Sequence, residues 1–346
     1  MVMAKRRYSK KGNKIEPAVM TLSFQLPASP FEQNTTSFID LSQVASLVNR
    51  RFYRQGINWA VAGFKFLTTP EYKGNVTITK LPNTWVMSNA WEKGFRAWQK
   101  MNRNAMEETE SVRPKFLDFK IYADAAHHNA GYAANLLPYN IDPFFTTVNT
   151  VTPGEWESSK LVIPNIPPTG TAGTVDGFEI IAVGANDPGP GASGLNAKSL
   201  IEGYAASRAL PNILDPNTPA DAASEDENWL MSLFNEGTRQ DEEVVADMID
   251  ENNIAPYPFE NDGVHVDTMY PNGANQLPGL QIHSTEFISG TTVGGTTRVK
   301  GGNFPCGLIG ITQFQNNEGG PFAMTLEIDL IPGPHRGYLC EKMTEM

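Results

Sequence analysis

This sequence of 346 residues has only two cysteines, Cys306 and Cys340, and no apolar run near the length of a transmembrane helix. Two such distant cysteines form neither a metal-ligand spacing nor a disulfide framework, so both are expected to be free, buried thiols. The motifs HExxH, GxSxG and Walker A are absent. The N-terminus lacks the apolar segment of a signal peptide, so we expect a soluble chain made inside a cell, without membrane insertion.

The candidates for catalysis or metal binding are few. His265 and Asp267 would share one face of a strand, but no nucleophile motif accompanies them. The adjacent His127 and His128 would point to opposite faces of an extended strand, which disfavours a shared metal ion. We therefore predict no catalytic residues, no metal-binding residues and no cofactor, and we predict that the protein is not an enzyme.

The first fourteen residues hold six cations and no acid: Lys5, Arg6, Arg7, Lys10, Lys11 and Lys14. This basic arm carries a formal charge of +6, while the whole chain carries −11. Because the arm can bury almost nothing, it cannot offset the entropy of ordering itself and should be mobile alone. Cations of this kind neutralise phosphates in a salt-sensitive way, which predicts nucleic-acid binding. A nuclear-localisation signal and a solubilising tail are the alternatives.

The charge asymmetry extends beyond the arm. Residues 1–120 hold 19 Lys and Arg against 9 Asp and Glu, whereas residues 121–346 hold 8 against 29. A second basic group, Arg50, Arg51 and Arg54, is interleaved with Phe52 and Tyr53 and is predicted to bind nucleic acid as well. In the other half, the acidic segment Glu225–Glu251 could recruit Ca²⁺ where subunits meet. If both parts belong to one folded body, that body would have a basic side and an acidic side. Such a surface suits a protein shell that separates nucleic acid from solvent.

Alternation of apolar and polar residues predicts strands in both the first and the last part of the chain. The predicted strands are Pro17–Pro27, Ile57–Thr68, Asn75–Leu81, Pro114–Ala123, Lys160–Ile163, Asp176–Val183, Gln281–Thr291, Thr297–Val299, Cys306–Gln313 and Met324–Ile331. Strands at both ends of the chain favour a mainly β fold, an antiparallel β-sandwich. Helical and irregular insertions are expected in two long surface loops, at about 124–175 and 184–280.

Besides two acidic helical pieces within Ser224–Asn252, three helices are predicted within this β pattern. They cover Leu41–Arg54 with Ser42 as its cap, Ser88–Glu108 with Asn89 as its cap, and Leu195–Leu210. In the second helix the aromatic residues Trp91, Phe95 and Trp98 share one side, which indicates a buried face. The opposite side gathers Lys93, Arg96, Lys100 and Arg103. That basic face is a solvated surface, a contact for an acidic neighbour or a third contact for nucleic acid.

The C-terminal residues carry a resemblance to a known family. The segment Pro332–Met346 (PGPHRGYLCEKMTEM) follows the strand MTLEIDLI (324–331), and LQIHSTEFISG (280–290) precedes both. Together with the basic arm, these segments resemble the capsid proteins of small circular Rep-encoding single-stranded DNA viruses, with smacovirus-like capsids nearest. The resemblance is firmest over the last seventy residues and the arm. This arm is shorter and less arginine-rich than that of circovirus-type capsids.

The resemblance implies a viral jelly roll at residues 17–346 behind a disordered nucleic-acid-binding arm at 1–16. It implies self-assembly into an icosahedral T=1 shell of sixty copies around a circular single-stranded DNA genome. The virion would be assembled inside the host cell, in the nucleus if the host is eukaryotic. Sixty arms would carry about +360, against on the order of two to three thousand phosphates, so an inner basic surface or mobile cations must supply the remainder.

Another β protein remains as an alternative. A soluble carbohydrate-binding β-sandwich, such as a lectin or attachment protein, would explain the strands and the long loops. It would give no reason for the basic arm. Attachment of a capsid to a host receptor through its surface loops would combine the two interpretations.

Overall fold

The computed structural model describes residues 18–106, 118–141, 148–164, 174–209, 279–289, 295–316 and 324–346. The basic arm at residues 1–16, the acidic segment Glu225–Glu251 and the pair His265 and Asp267 lie outside these ranges. What the sequence predicts for those segments therefore stays a prediction.

The described chain is mainly β. The first part forms β1 (Thr21–Leu26), β2 (Asn34–Asp40), α1 (Leu41–Asn49), β3 (Ile57–Leu67) and β4 (Gly74–Lys80). The middle adds α2 (Trp85–Met106), α3 (Ala125–Ala130), β5 (Tyr139–Ile141), β6 (Val148–Thr150), β7 (Leu161–Pro164), β8 (Val175–Ile181), β9 (Asn196–Ser199) and α4 (Leu200–Ala209). The last part forms β10 (Gln281–Ile288), β11 (Thr296–Phe304), β12 (Leu308–Gln315), β13 (Met324–Leu330), β14 (Pro332–Gly333), β15 (Gly337–Tyr338) and β16 (Cys340–Lys342).

The long strands of the first and last parts pair as a nested set. β1 pairs with β13, β2 with β12, β3 with β11 and β4 with β10, all antiparallel. Two further antiparallel pairs join these into sheets of order β1-β13-β3-β11, which β16 extends beside β3, and β10-β4-β12-β2. Antiparallel strands nested and divided between two sheets in this order form a jelly roll. The predicted antiparallel β-sandwich is confirmed.

The core lies between the two sheets. On β4 and β13 alternate residues are buried, as expected when one face of each strand packs inward. Aromatic rings fill the space, and the largest fully buried ones include Phe24, Trp59, Phe64, Phe66 and Phe304. Removing a side chain of this size from water contributes about 1.5–3 kcal/mol, so these alternating rings account for much of the driving force that holds the sheets together.

Residues 81–280 form one connection between β4 and β10, and both predicted loops belong to it. Its described parts pack around α2, where Trp91 and Trp98 are buried against Phe119 at ring-centroid distances of 5.9 and 5.5 Å. The aromatic stripe of α2 is therefore core, as predicted. Beside it lies a three-stranded sheet of order β7-β8-β9, in which β8 and β9 run parallel.

A buried carboxylate links this insertion to the jelly roll. Asp40, at the end of β2, accepts hydrogen bonds at Oδ1 from the backbone N–H groups of Ser42 and Gln43. Its Oδ2 accepts from Gln55 Nε2 and from Trp156 Nε1, each at 3.0 Å. Burial raises the pKa of Asp40 to about 6, although these donors favour the ionised form. One carboxylate thus holds the start of α1, the chain before β3 and the insertion.

The helix caps differ from the predicted ones, although α1 begins at Leu41 as predicted. Asp40, rather than Ser42, caps α1, because its carboxylate accepts from the first free N–H groups of the helix. Helix α2 begins at Trp85, with Thr84 Oγ1 accepting from the Met87 N–H at 3.3 Å. The predicted cap, Asn89, lies inside the helix and donates to the Tyr204 hydroxyl.

Three of the predicted elements are wrong in part, and the first is the helix predicted at Leu41–Arg54, which ends at Asn49. The helix predicted at Leu195–Leu210 begins at Leu200, because the residues before it form β9 and pair with β8. This pairing outweighs local helix propensity. In the strand predicted at Pro114–Ala123, the described residues contribute one bridge, between Tyr122 and Ile181. The segment has backbone partners, as where the Tyr122 N–H donates to the Ile180 carbonyl at 2.9 Å, and side-chain partners, as where Gln55 Oε1 accepts from the Ile121 N–H at 2.7 Å.

A pair of glycine substitutions tests the packing of the jelly roll. A Cβ at Gly301 would overlap the carbonyl oxygen of Val61 on the paired strand β3, whereas a Cβ at Gly203 meets no atom within 4 Å. We expect Gly301→Ala to lower the free energy of unfolding by about 1–3 kcal/mol through overpacking. In helix α4, Gly203→Ala should raise it by about 0.5–1 kcal/mol. Urea unfolding of both variants measures the difference, and equal effects would contradict the strand register.

Candidate nucleic-acid interface

The first described residues of the chain are held against its last segment. The Val19 N–H donates to Asn49 Oδ1 at 3.0 Å, and the Tyr338 hydroxyl donates to the Val19 carbonyl at 2.7 Å. Asn49 Nδ2 in turn donates to the Tyr338 hydroxyl at 2.7 Å. We call Val19, Asn49 and Tyr338 the arm root, because the basic arm enters the fold here. The described chain therefore begins beside the end of α1 and beside the C-terminal segment.

Four arginines lie close in sequence to two residues of the arm root, Asn49 and Tyr338. Arg50, Arg51 and Arg54 come immediately after Asn49, and Arg336 lies two residues before Tyr338. Arg336 donates to the Phe52 carbonyl, and the Tyr53 hydroxyl donates to the Arg336 carbonyl at 2.9 Å. We call these four residues the arginine cluster. The structure therefore brings Arg336 to the segment that carries the three predicted arginines.

Arg336 is the residue that sequence reasoning missed as a candidate contact. It lies in the HRGYL segment, which carried the family resemblance, but no run of cations surrounds it in the sequence. The sequence pattern of the last strand, β13, could have indicated it. This strand pairs with β1 to close the sandwich, and Arg336 lies in the segment that follows it. That pairing returns the following segment to the arm.

Aromatic packing holds the cluster in place. The rings of Tyr53, Trp59 and Tyr338 lie 5.3–5.9 Å apart in a mutually tilted arrangement, and all three are fully buried. Burial raises the pKa of Tyr338 to about 12, while Asn49 and the nearby Arg51 act in the opposite direction. The Tyr338 hydroxyl therefore stays protonated at neutral pH and keeps donating to the arm root.

Two arginines of the cluster adopt an unfavourable backbone conformation. Arg50, the residue that ends α1, has φ 52°, and Arg336 has φ 51°. In this left-handed region a residue with a side chain is strained by about 1–2 kcal/mol, and helices commonly place glycine there. Strained residues of this kind cluster at functional sites. Both arginines are exposed, so packing of their side chains does not explain the choice.

The basic face of α2 is also exposed. Lys93, Arg96, Lys100 and Arg103 all lie on the solvent side of the helix. Two of them have local partners: Lys93 Nζ lies 5.0 Å from the centroid of the Tyr204 ring, and Arg96 pairs with Glu92 one turn away. Surface pairs of this kind contribute little to stability. The geometry is that of a solvated helix face.

The adjacent histidines are buried groups of the core. They lie on the short helix α3, and not on the strand or loop that the sequence suggested. The Ala123 N–H donates to His127 Nδ1, so the proton of His127 resides on Nε2 and is donated to Asn135 Oδ1. His128 Nε2 is 2.8 Å from Glu179 Oε2. Burial lowers the pKa of His127 to about 4, so its ring is neutral at pH 7.

Within the described ranges, no group of three or more His, Cys, Asp or Glu residues is arranged to hold a metal ion. Cys306 is buried and Cys340 partly buried, and both are free thiols. No helix among the described residues is long and apolar enough to cross a membrane. Comparisons of this chain with models of protein families, with curated proteins and with solved structures found no match.

Replacing an arginine by glycine tests whether the strain at this site serves binding. We expect Arg50→Gly to raise the free energy of unfolding by up to about 1 kcal/mol, because glycine tolerates positive φ. The same change should weaken binding of single-stranded DNA and lower the slope of log affinity against log salt by about 0.7.

Glu32→Gly is the matched control, because Glu32 is exposed, has φ 53° and lies outside the arginine cluster. It should stabilise the fold without weakening DNA binding. Equal DNA affinity of Arg50→Gly and the parent protein would remove Arg50 from the interface.

Proposed function

We propose that this chain is a capsid protein of the smacovirus-like type, which self-assembles into an icosahedral shell, most simply of sixty copies, and packages a circular single-stranded DNA genome. The observation that carries the proposal is the arm root. It joins a basic arm of +6 to the arginine cluster on a jelly-roll body. The resemblance of residues 280–346 to this family of capsids supports the same reading.

The fold supports the proposal without deciding it, since jelly rolls also occur in lectins and cupins. The arm root also holds the start of the described chain beside the segment that carries Arg336, an arrangement that carbohydrate binding does not require. The proposal is that the six cations of the arm and the four arginines of the cluster neutralise phosphates of one strand. The acidic residues lie mostly in the second part of the chain, at 121–346.

Exposed apolar residues supply candidate contacts between copies. Phe287 and Ile282 on β10 are 69% and 62% exposed, and β10 is an edge strand of its sheet. An exposed edge strand with large apolar side chains favours association with another chain. In a closed shell these residues would be covered by a neighbouring subunit of the same kind.

Assembly is the first test of the proposal. The purified full-length chain should form uniform spherical particles on the order of 20 nm in diameter, as a heterologous interface that closes on itself would give. Electron microscopy and analytical ultracentrifugation measure this directly. A chain that stays monomeric across salt and pH, at concentrations well above micromolar, would contradict a capsid role and leave the carbohydrate-binding β-sandwich as the better account.

Packaging is the second test. Replacing Lys5, Arg6, Arg7, Lys10, Lys11 and Lys14 by Ser should lower the slope of log affinity against log salt by about four, because each lost phosphate contact on a single strand removes about 0.7. Shells should still form and contain less nucleic acid, seen as a lower 260/280 nm absorbance ratio.

The control for packaging replaces Lys93, Arg96, Lys100 and Arg103 on α2 by Ser. If that helix face is only solvated, the salt slope and the nucleic-acid content should equal those of the parent. A loss of packaging in the control alone would transfer the binding role from the arm to α2.

A further inference from the structure

The two sheets of the jelly roll end in four edge strands, and three of these edges are covered or charged. β1 lies beside β5, and the Phe38 carbonyl of β2 accepts from the Leu136 N–H at 2.8 Å. β11 carries the exposed cations Arg298 and Lys300, and the Lys300 carbonyl accepts from His283 Nε2 at 2.8 Å. Proteins protect edge strands in these ways, because open N–H and C=O groups otherwise pair with another chain.

The fourth edge, that of β10, lacks this protection within the described ranges. Its backbone pairs with β4 and forms no backbone hydrogen bond with any other described element. The strand contains no proline, and its three exposed residues, Ile282, Thr285 and Phe287, are uncharged. An open edge with exposed apolar side chains is suited to pairing with a strand of another chain.

A β-bulge in β10 decides which of its side chains share a face. The pairing with β4 shifts by one residue between Ile282 and Ser284, so His283 is the extra residue. In a regular strand, residues separated by an odd number of positions point to opposite faces. The extra residue at the bulge therefore brings Ile282 to the same face as Phe287, and both are exposed there.

The exposed side chains of β10 are symmetric about Thr285. With the bulge counted as one position, Ile282 lies two positions before Thr285 and Phe287 two positions after it. An antiparallel second copy with Thr285 opposite Thr285 places each Ile282 opposite Phe287 of the other copy. On the other face, Ser284 of each copy lies opposite Glu286, so no two carboxylates are directly opposed. A two-fold axis requires this kind of self-complementary surface.

We propose that β10 pairs with β10 of a second copy of this chain across a two-fold axis, with Thr285 opposite Thr285. The pairing joins two four-stranded sheets into one continuous sheet and covers Ile282 and Phe287. The inference rests on the proposed function for the closed shell, whose icosahedral symmetry contains two-fold axes. One strand pair is a small interface, so it should be weak between isolated copies and be reinforced in a shell by the other contacts of each subunit.

Thr285→Cys tests the pairing, because this residue would lie opposite itself. Opposed Cβ atoms in an antiparallel pair are about 4.5–5.5 Å apart, which a small adjustment makes suitable for a disulfide. Mild oxidation of the full-length variant should give a covalent dimer about tenfold faster than oxidation of the control variant. Non-reducing electrophoresis measures the rate. The parent protein, in which Cys306 is buried and Cys340 partly buried, gives the background.

Thr77→Cys is the matched control. The Thr77 hydroxyl lies 3.1 Å from that of Thr285, on the same face but one strand further from the edge. Edge pairing keeps residue 77 of the two copies about 14 Å apart, which is too far for a disulfide. Equal rates for the two variants would indicate sheets packed face to face and would overturn the inference. A Thr285→Cys variant that forms no dimer would also overturn it, whether the edge is free or covered by another part of the chain.

Ile282→Cys and Phe287→Cys test the register. Alone, each variant should crosslink no faster than the parent, because like residues of the two copies lie about 13 Å apart along the strands. A mixture of the two variants should form the mixed dimer. Self-crosslinking of either variant at the rate of the mixture would contradict the proposed register.

A charge on the edge tests whether the apolar contact supports the pairing. In the Thr285→Cys background, Phe287→Lys should slow crosslinking about tenfold, because a charged side chain opposes edge pairing. Val175→Lys is the control, since Val175 on β8 is 61% exposed and lies outside both sheets of the jelly roll. It should leave the rate unchanged, and equal rates for both lysine variants would overturn the contact.

Electron microscopy of Thr285→Cys before oxidation separates this inference from the proposed function. Shells whose subunits do not crosslink through residue 285 contradict only the pairing of β10. Covalent dimers from a protein that forms no shells contradict only the capsid role.

Discussion

The pairing of β1 with β13 is the interaction on which the rest of the structure depends. It joins the two ends of the described chain, and the Thr21 hydroxyl donates across it to Asp329 Oδ1 at 2.6 Å. The other nested pairs lie inside this one, down to β4 and β10, whose strands enclose the long insertion. Because each doubling of loop length costs only about 0.6 kcal/mol in closure entropy, the insertion can be long without preventing the sheets from closing.

The same pairing creates the arm root and the arginine cluster. The segment after β13 returns beside the start of β1, so Tyr338 reaches Val19 and Arg336 reaches Phe52. Two exposed arginines occupy positions where glycine would be less strained. We interpret this strain as a loss of stability that is tolerated because it places positive charge beside the start of the described chain. Under the proposed function, the charge of the cluster and the strain at Arg50 and Arg336 would share one explanation, which is contact with a polyanion.

Much of the fold was predictable from local sequence, while the details of its ends were not. Alternation of apolar residues identified the strands at Ile57–Leu67, Gly74–Lys80 and Met324–Leu330, because each has one face in the core. Helix caps were misassigned, because Asp40 and Thr84 act as caps through side-chain geometry that a sequence pattern does not reveal. Strand β9 was read as helix, because its pairing with β8 comes from a part of the chain outside any local window.

By itself, the sequence determined the mainly β class, the buried aromatic face of α2 and the presence of cationic groups at residues 5–14 and 50–54. These depend on periodicity and composition, which are local properties. Only the tertiary structure decided that Val19 meets Tyr338, that Arg336 joins Arg50, Arg51 and Arg54, and that Phe95 and Asp118 line one cavity. These contacts join residues far apart in the chain, and their partners are chosen by the order in which the strands pair. A sequence pattern records which residues are buried or charged, but strand pairing decides which of them meet.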